Sequence, residues 1–223
     1  MAPAIRRGGS LEGSGTRAAD RSTLPLALLA AATAVFVWSG WAPKDRMTWV
    51  LETFPAVIGA AILIATRKRF PLTPLAYVLV TIHACILMVG GRYTYAEVPL
   101  FNWIRDALGA ARNDYDRLGH FAQGFVPAIV TREVLLRTSP LKRGKWLFFL
   151  VLCVALAISA SYELFEWGTA VAYGAKSDAF LGTQGDPWDT QEDMAMAVVG
   201  AITALVTLPG LHDRQLRARG LAP

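Results

Sequence analysis

The sequence contains very little cysteine. Its two cysteines, Cys85 and Cys153, both lie inside apolar runs, and no CxxC pair is present. A disulfide framework or a cysteine-based zinc centre requires more thiols at closer spacing. We therefore interpret both residues as small, buried hydrophobic side chains, with a redox pair as the alternative.

Common catalytic motifs are missing as well. The chain contains no HExxH sequence, no glycine-rich phosphate loop and no recognisable nucleophile motif. These absences exclude the metalloprotease and nucleotide-hydrolase classes that such motifs define.

Apolar residues, in contrast, are abundant. They make up 54% of the 223 residues, and the mean hydropathy is +0.38. A membrane-spanning helix takes roughly 20 apolar residues, so the chain has room for about six spans and for no separate soluble domain. The net charge of +5 is dispersed in short clusters between apolar runs, which argues against a nucleic-acid partner and makes membrane lipid the expected one.

The alternation of apolar runs and polar segments predicts an all-α integral membrane protein, a bundle of six transmembrane helices within residues 24–210. Residues 1–23, rich in Gly, Ser, Ala and Arg, predict a disordered tail, and residues 211–223 a second tail. Residues 99–110, in the long third loop, predict a short helix on the membrane surface. The six spans are expected at about residues 24–41, 47–66, 72–90, 116–136, 146–173 and 188–208.

The distribution of Lys and Arg predicts the orientation. With six spans, fifteen of the 22 basic residues fall on the side that holds both termini, and seven fall on the other side. Basic loops stay in the cytoplasm. We therefore expect a multi-pass protein of the bacterial inner membrane with both termini cytoplasmic.

Three spans each carry two polar residues one helical turn apart, on one face and at similar depth near the outer side. An Asp at the bilayer centre costs about 2.5–3.5 kcal/mol, so such residues mostly face the bundle interior and mark function. We predict one shared site, open to the outer side, in which the first candidates for catalysis converge within roughly 10 Å, a span that bridging waters or ligands can cover. These candidates are His120, Glu163 and Asp193.

Other residues are predicted to bind at this site. Asp116 and Asp189 should line its mouth, Gln123 its floor, and Glu166 lies beside Glu163. Arg92 and Arg117 are the expected basic partners. Alternatives remain for each: helix-terminus stabilisation for the two aspartates, hydrogen bonding in the bundle for His120, and structural ion pairs for the glutamates.

Four segments resemble the YjdF family, bacterial inner-membrane proteins of unknown function. The resemblance covers about residues 35–208 and implies the same location for this chain. The segments are RFPLTP (69–74), GRYTYAEVP (91–99), DRLGHFAQGF (116–125) and GTQGDPWD (182–189).

A more distant resemblance is to VanZ-like proteins, which are associated with resistance to teicoplanin-type glycopeptide antibiotics. It implies a role in the cell envelope or in the response to antibiotics. Three positions depart from the VanZ pattern: Glu166, Asp193 and Met196 replace a Gln, an Asn and a Gly. The matching positions are Asp116, Arg117, His120, Ser159, Glu163, Asp189 and Gly200.

Three functions fit these observations. The first is an envelope enzyme acting on a lipid-linked or cell-wall substrate, by general acid–base chemistry or with a divalent metal. The second is a transporter with a proton or cation relay. The third is a structural membrane protein whose polar cluster holds helices together. The expected metal ligands are His120, Glu163, Glu166, Asp189 and Asp193.

The orientation gives a first testable prediction. A cytoplasmic reporter fused after Pro223 should be active and a periplasmic reporter inactive, because the basic loops hold the C-terminus in the cytoplasm. A fusion within residues 91–115 should show the opposite pattern. Periplasmic activity after Pro223 would refute the six-span topology.

Overall fold

The computed structural model describes residues 12–221, without the side chains of residues 12–22, 175, 176 and 178. Within this range the chain forms helices and turns, and no strand. Two 3₁₀ turns, Tyr95–Glu97 and Gly174–Ser177, connect helices. The α-helices are α1 (Glu12–Trp41), α2 (Arg46–Thr66), α3 (Pro74–Tyr93), α4 (Pro99–Leu108), α5 (Tyr115–Thr138), α6 (Lys145–Tyr173), α7 (Asp178–Leu181), α8 (Asp189–Thr207) and α9 (Pro209–Ala218).

Four helices of the described chain, α1, α2, α3 and α6, are long and apolar enough to cross a membrane, and α8 with α9, bent by 59°, makes a fifth. Helix α5 does not qualify by composition because it carries charged residues near both ends. Its 24 residues nevertheless correspond to a length of about 36 Å. The prediction of an all-helical membrane protein is confirmed.

Helices α2, α3, α5, α6 and α8 begin and end within about three residues of the spans expected from the sequence, whereas the two termini differ. Helix α3 begins where Thr73, whose hydroxyl accepts a hydrogen bond from the Ala76 N–H, precedes Pro74 at the first helical position. The expected disordered tail ends at residue 23, but α1 already begins at Glu12; residues 1–11 lie outside the described range. Residues added to an existing helix avoid the free-energy cost of nucleation. The Gly- and Ser-rich residues before the apolar part of α1 can therefore extend this helix despite their low helix propensity.

Helix α5 lies at the centre and packs against α3, α6 and α8. Helices α5 and α8 are parallel, whereas α6 runs antiparallel to both. The N-termini of α5 and α8 and the C-terminus of α6 therefore meet at one end of the bundle. We call it the acidic end, after Glu52, Asp116, Glu163, Asp189 and Asp193, and call the other the opposite end.

Two glycines allow α5 and α8 to touch backbone to backbone. A Cβ atom on Gly124 would lie 1.7 Å from the carbonyl oxygen of Ala197, and one on Gly200 would lie 2.1 Å from that of Phe121. No side chain fits at either distance. Such contacts between small residues are a common way for membrane helices to associate, and here they fix the register of the two helices.

A buried ionic cluster closes the opposite end, and its centre is Glu133, which is 0% exposed. Its carboxylate accepts hydrogen bonds from the Thr73 N–H at 3.0 Å and hydroxyl at 2.7 Å. The Arg137 guanidinium donates to it at 2.7 Å, and His212 Nε2 lies 3.1 Å away. Glu133 therefore joins α5 to the start of α3 and to α9.

Arg132 extends this cluster along α9. Its guanidinium lies 2.9 Å from His212 Nδ1 and donates to Asp213 at 2.7 Å, and Arg143 pairs with Asp213 at 2.8 Å. Sequence analysis treated these arginines only as orientation signals and residues 211–223 only as a tail. Helix α9 is instead held against the bundle by buried charge pairs.

The two cysteines are free thiols. Cys85 is half-buried, but Cys153 is exposed on the surface of α6. The prediction that both are buried was therefore wrong for Cys153, because an apolar residue of a membrane helix also fits a surface that faces lipid.

The contact between α5 and α8 predicts the effect of one added methyl group. Gly124→Ala should lower the melting temperature in detergent, because overpacking costs about 1–3 kcal/mol and the clashing atom is backbone. Gly59→Ala is the matched control, since Gly59 is also mid-helix but has no atom within 4 Å of a built Cβ. A Gly124→Ala protein as stable as the control would show that the helices are not in this register.

The Asp213 pairs predict how docking of α9 depends on pH. Burial raises the pKa of Asp213, but the hydrogen bonds and charges of Arg132 and Arg143 outweigh it, so the pKa lies below its ordinary value. A carboxyl group whose pKa is lowered by folding stabilises the folded state at pH values above its pKa in the unfolded chain, about 3.9 for Asp. This stabilisation is lost as the pH falls through the pKa of the folded state. The contribution of Asp213 to the docking of α9 should therefore be constant from pH 5 to pH 8.

Limited trypsin digestion measures this docking through cleavage at Arg217, an exposed residue of α9. Asp213→Asn should speed the cleavage at neutral pH, because losing a partner of buried Arg132 costs about 1–3 kcal/mol. Asp106→Asn, on exposed α4, should change nothing. Equal rates for both variants would contradict a docking role for Asp213.

Candidate functional site

His120 is the centre of the acidic end and is 4% exposed. Its Nε2 lies 3.6 Å from Asp116 Oδ1 and 3.9 Å from Asp193 Oδ2. Its Nδ1 lies 3.5 Å from Glu163 Oε1. Both ring nitrogens therefore face carboxylates, and the predicted convergence of His120, Glu163 and Asp193 is confirmed.

The helix arrangement explains this convergence. Asp116 and His120 are four residues apart and share one face of α5. The close contact of α5 with α8 brings Asp193 beside His120 at the same level. Helix α6 runs in the opposite direction, so Glu163 reaches the same level from its C-terminal half.

Among the residues that the structure describes, one set of three side chains has the spacing of metal ligands. Single ligand atoms of Asp116, His120 and Asp193 all lie within 4.8 Å of one another. Sequence analysis expected His120, Glu163, Glu166, Asp189 and Asp193 instead. In the structure Glu163 faces the other ring nitrogen, Glu166 stands outside the set, and Asp189 is turned towards an arginine.

Several polar atoms in this cluster have no hydrogen-bond partner although they are buried. Buried polar groups in proteins are nearly always paired, so unpaired ones need an explanation. Two of them, on His120 and Glu163, face each other at 3.5 Å, so the cluster holds polar atoms that its own side chains leave without a normal hydrogen bond. The atoms are Nδ1 of His120, Oε1 of Glu163, Oδ1 of Asp193 and Oγ of Ser159.

Two arginines cover the acidic carboxylates nearer the end of the bundle. Arg112 donates to Asp189 at 2.7 Å and to Asp186 at 3.2 Å. Arg117 donates to Asp186 at 3.1 Å and also pairs with Glu192. Burial lowers the pKa of Arg112, but the bond to Asp189 and the nearby carboxylates outweigh it and raise the pKa above its ordinary value. Sequence analysis named Arg117 and missed Arg112, whose loop position gives no helical spacing to Asp189.

Arg92 does not belong to the site. Its guanidinium donates to the Trp38 carbonyl at 2.7 Å and stacks on the Trp38 ring at 4.5 Å from the centroid. It therefore joins α3 to α1, and the prediction that it binds at the acidic site was wrong. The sequence predicts a suitable depth in the membrane for Arg92, but the residue lies on the face of α3 that turns towards α1.

Gln123 lines a side groove rather than the floor of the cluster. The groove, of about 530 Å³, lies between α2 and α3 on one wall and α6 on the other, with α5 behind. Gln123 Oε1 and His83 Nε2 are buried there without partners. The apolar lining comprises Phe54, Pro55, Leu87, Pro127, Val154, Ala157, Ile158 and Phe165.

Glu52 is a buried carboxylate that sequence analysis missed. It is 3% exposed and accepts a hydrogen bond from the Tyr162 hydroxyl at 3.0 Å. The Tyr162 ring lines the groove and lies 6.3 Å from the His120 ring. The sequence did contain an indication, because placing Glu52 inside an apolar span costs as much free energy as placing Glu163 there. Glu52 has no second acidic residue one turn away on its helix, however, and so forms no pattern.

The cluster is closed at the end of the bundle. Asp116, His120, Glu163 and Asp193 are each at most 6% exposed. Gly182, with φ +64°, lies so near that an added Cβ would be 3.3 Å from Asp116 Oδ2. The expected open pocket is therefore absent from the described part of the chain, because the segment between α6 and α8 folds over the carboxylates.

These features define a multi-pass membrane protein with a closed acidic and histidine cluster inside its helix bundle. The chain belongs to the family described as Predicted membrane protein (DUF2238), whose model matches residues 24–214. It is 51% identical over 204 residues to the inner membrane protein YjdF of Escherichia coli (strain K12). The matched region covers 90% of this chain and 98% of that protein. The predicted resemblance to the YjdF family and the inner-membrane location are thus confirmed. No solved structure matches the chain.

Proposed function

We propose that the acidic cluster binds a divalent cation and that the protein uses it as an enzyme acting on a lipid-linked substrate of the cell envelope. The observation that carries this proposal is the position of His120 between carboxylates on both ring nitrogens. In metal sites, a histidine ligand usually gives its second ring N–H to a carboxylate, which fixes the tautomer and orients the ring.

The distances suit a cation held by Asp116, His120 and Asp193. Ligands about 2.0–2.2 Å from a metal ion stand about 3–3.5 Å apart around it. The observed separations from His120 Nε2, 3.6 and 3.9 Å, need only small side-chain shifts to reach that spacing. Two carboxylates and one imidazole suit Zn²⁺, Mn²⁺ or Fe²⁺.

The charge balance also favours a cation. Asp116, Glu163 and Asp193 surround one histidine, and buried carboxyl groups this close together ionise together only when a positive charge offsets their repulsion. The nearest contacts from the arginines to Asp116 and Asp193 are long, at 3.9 and 3.8 Å. Buried charges are costly unless paired, and a bound cation would offset that cost.

The residues then have distinct roles. A bound divalent cation supplies Lewis-acid polarisation of a substrate oxygen or a water. With a cation bound, Glu163, 3.5 Å from Nδ1 of His120, would accept a hydrogen bond from the Nδ1–H and so keep Nε2 directed at the cation.

The side groove supports a lipid-linked substrate. Its apolar walls are suited to a hydrocarbon chain, and it reaches Tyr162, whose ring lies 6.3 Å from that of His120. A substrate with its tail in this groove would bring its polar group to the cluster.

The proposal includes the topology predicted from sequence: six spans, α1, α2, α3, α5, α6 and α8, with both termini cytoplasmic. The acidic end then faces the outer side of the membrane, where lipid-linked envelope precursors are used. Helix α5 needs no apolar composition to span, because its charged residues face the bundle. The VanZ-like pattern at Asp116, His120 and Asp189 supports the same envelope setting.

A structural role is the second candidate, favoured by the ion pairs of Arg112 and Arg117 with Asp186 and Asp189. These pairs stabilise the rim without a ligand. They leave polar atoms around His120 without hydrogen-bond partners, however. A cluster with a purely structural role has no need for unpaired polar atoms.

A proton or cation relay has less support. The cluster around Glu133 and Arg132 lies about 18 Å along α5 from His120. Between the two clusters α5 and α8 bury apolar residues that are 0% exposed, including Ala128, Ile129, Ala201 and Ala204.

Cation binding is tested on the purified protein. Zn²⁺ or Mn²⁺ should raise the melting temperature of the wild type, because a ligand at 100 times its Kd stabilises the folded state by about 2.7 kcal/mol. Asp193→Asn should abolish this rise in melting temperature, because the substitution removes a charged ligand with little change in side-chain volume. Asp106→Asn makes the same charge change on exposed α4 and should keep it.

Activity is tested with the same proteins on inner-membrane lipid extract. Mass spectrometry should show a lipid converted by the wild type with cation and by neither Asp193→Asn nor Glu163→Gln. A structural cluster gives a different pattern: no cation shift in the wild type, and a large loss of stability in Asp193→Asn.

A further inference from the structure

An apolar slot of about 100 Å³ lies between α1 and α2, away from the acidic cluster, with α3 as its floor. Its walls come from Leu29 and Ala32 of α1 and from Ala56, Ala60 and Leu63 of α2. Val80 and Ala84 of α3 line the floor.

The slot is closed at the acidic end and open at the opposite end. Near the acidic end, the Phe36 and Trp49 rings meet at 5.1 Å, and Trp49 Nε1 donates to Ser39 Oγ at 3.0 Å. From there α1 and α2 each pack on α3 rather than along one another. A wedge therefore opens between them.

A basic cavity continues the slot at its open end. The two cavities share Pro25, Leu26, Arg67 and Tyr77 in their linings. The second also contains Lys68 and Arg219, and neither lining includes an acidic residue. Arg219 also donates to the Leu72 carbonyl, which holds α9 at this mouth.

We propose that this slot and its basic mouth bind an anionic phospholipid, with one acyl chain between α1 and α2 and the phosphate at Arg67 and Lys68. The combination of an enclosed apolar wedge with cations at one end matches the two parts of such a molecule. Basic pockets between membrane helices are known binding places for anionic headgroups. The site is independent of the cation proposed at the acidic end.

Charge complementarity decides between lipids. A zwitterionic lipid of the same chain length would fill the slot equally well but would bring a choline or ethanolamine cation next to Arg67 and Lys68. An anionic headgroup such as phosphatidylglycerol brings only the phosphate charge. The selectivity therefore depends on the two basic residues, and the occupancy of the wedge depends on its width.

Native mass spectrometry of the purified full-length protein tests the proposal, with phosphatidylglycerol and phosphatidylcholine of identical chains as probes. Phosphatidylglycerol should bind more tightly. Arg67→Gln with Lys68→Gln should weaken its binding roughly 30-fold, since each basic residue near an anionic lipid contributes about fivefold. Arg46→Gln with Arg105→Gln removes the same charge at the acidic end and should leave binding unchanged.

A second variant separates a bound lipid from a bound headgroup. Ala60→Phe fills the wedge and keeps both cations, so it should abolish retention of phosphatidylglycerol; melting curves check that it folds. Retention by Ala60→Phe, or displacement of the lipid by inorganic phosphate, would mean that only an anion binds at the mouth and would overturn the proposal. Equal binding of both lipids to the wild type would also overturn it.

Discussion

The backbone contact between α5 and α8 determines the rest of the structure. Gly124 and Gly200 let each helix press against a carbonyl oxygen of the other, at Ala197 and Phe121, and this leaves only one register. That register places the first turns of both helices side by side. Asp116 and His120 therefore meet Asp193, while α9 continues from the far end of α8 to meet Arg132 and Glu133. One apolar contact thus positions two ionic clusters.

The two clusters handle buried charge differently. At the opposite end, Glu133 accepts hydrogen bonds from Thr73 and Arg137 and lies 3.1 Å from His212 Nε2. Nothing around it requires a further partner, as expected of a cluster that only holds helices together. At the acidic end, the atoms around His120 remain unpaired. The same chain thus provides an internal comparison: the polar atoms around Glu133 are paired with one another, whereas several polar atoms around His120 lack hydrogen-bond partners.

Helical spacing predicted the centre of the site because it follows from rules within one helix. His120, Glu163 and Asp193 share depth and face in their own spans, and depth is conserved when spans pack side by side. The same rules failed for Arg92, whose depth was suitable but whose direction depends on the position of α1. They also missed Arg112, which lies in a loop, and Glu52, which is alone on its helix. The cluster of Glu133 with His212 was missed because it depends on a 59° bend after α8 that hydropathy does not report.

Closure of the cluster constrains how a substrate reaches it. Gly182 and the arginine pairs cover the carboxylates from the end of the bundle, so entry there requires the segment between α6 and α8 to move and several ion pairs to break. The side groove lies closer to the cluster, because Tyr162 lines it and its ring lies 6.3 Å from that of His120. The Tyr162 hydroxyl donates a hydrogen bond to Glu52. Entry by this route would require a movement of the Tyr162 ring, which packs against the rings of Phe165 and Phe180. The groove is lined mostly by apolar residues, and such a lining suits the hydrocarbon tail of the lipid-linked substrate that we propose. Such an entry route would explain why Glu52 lies where it accepts the hydrogen bond of the Tyr162 hydroxyl, which the pairing of two buried polar groups does not explain by itself.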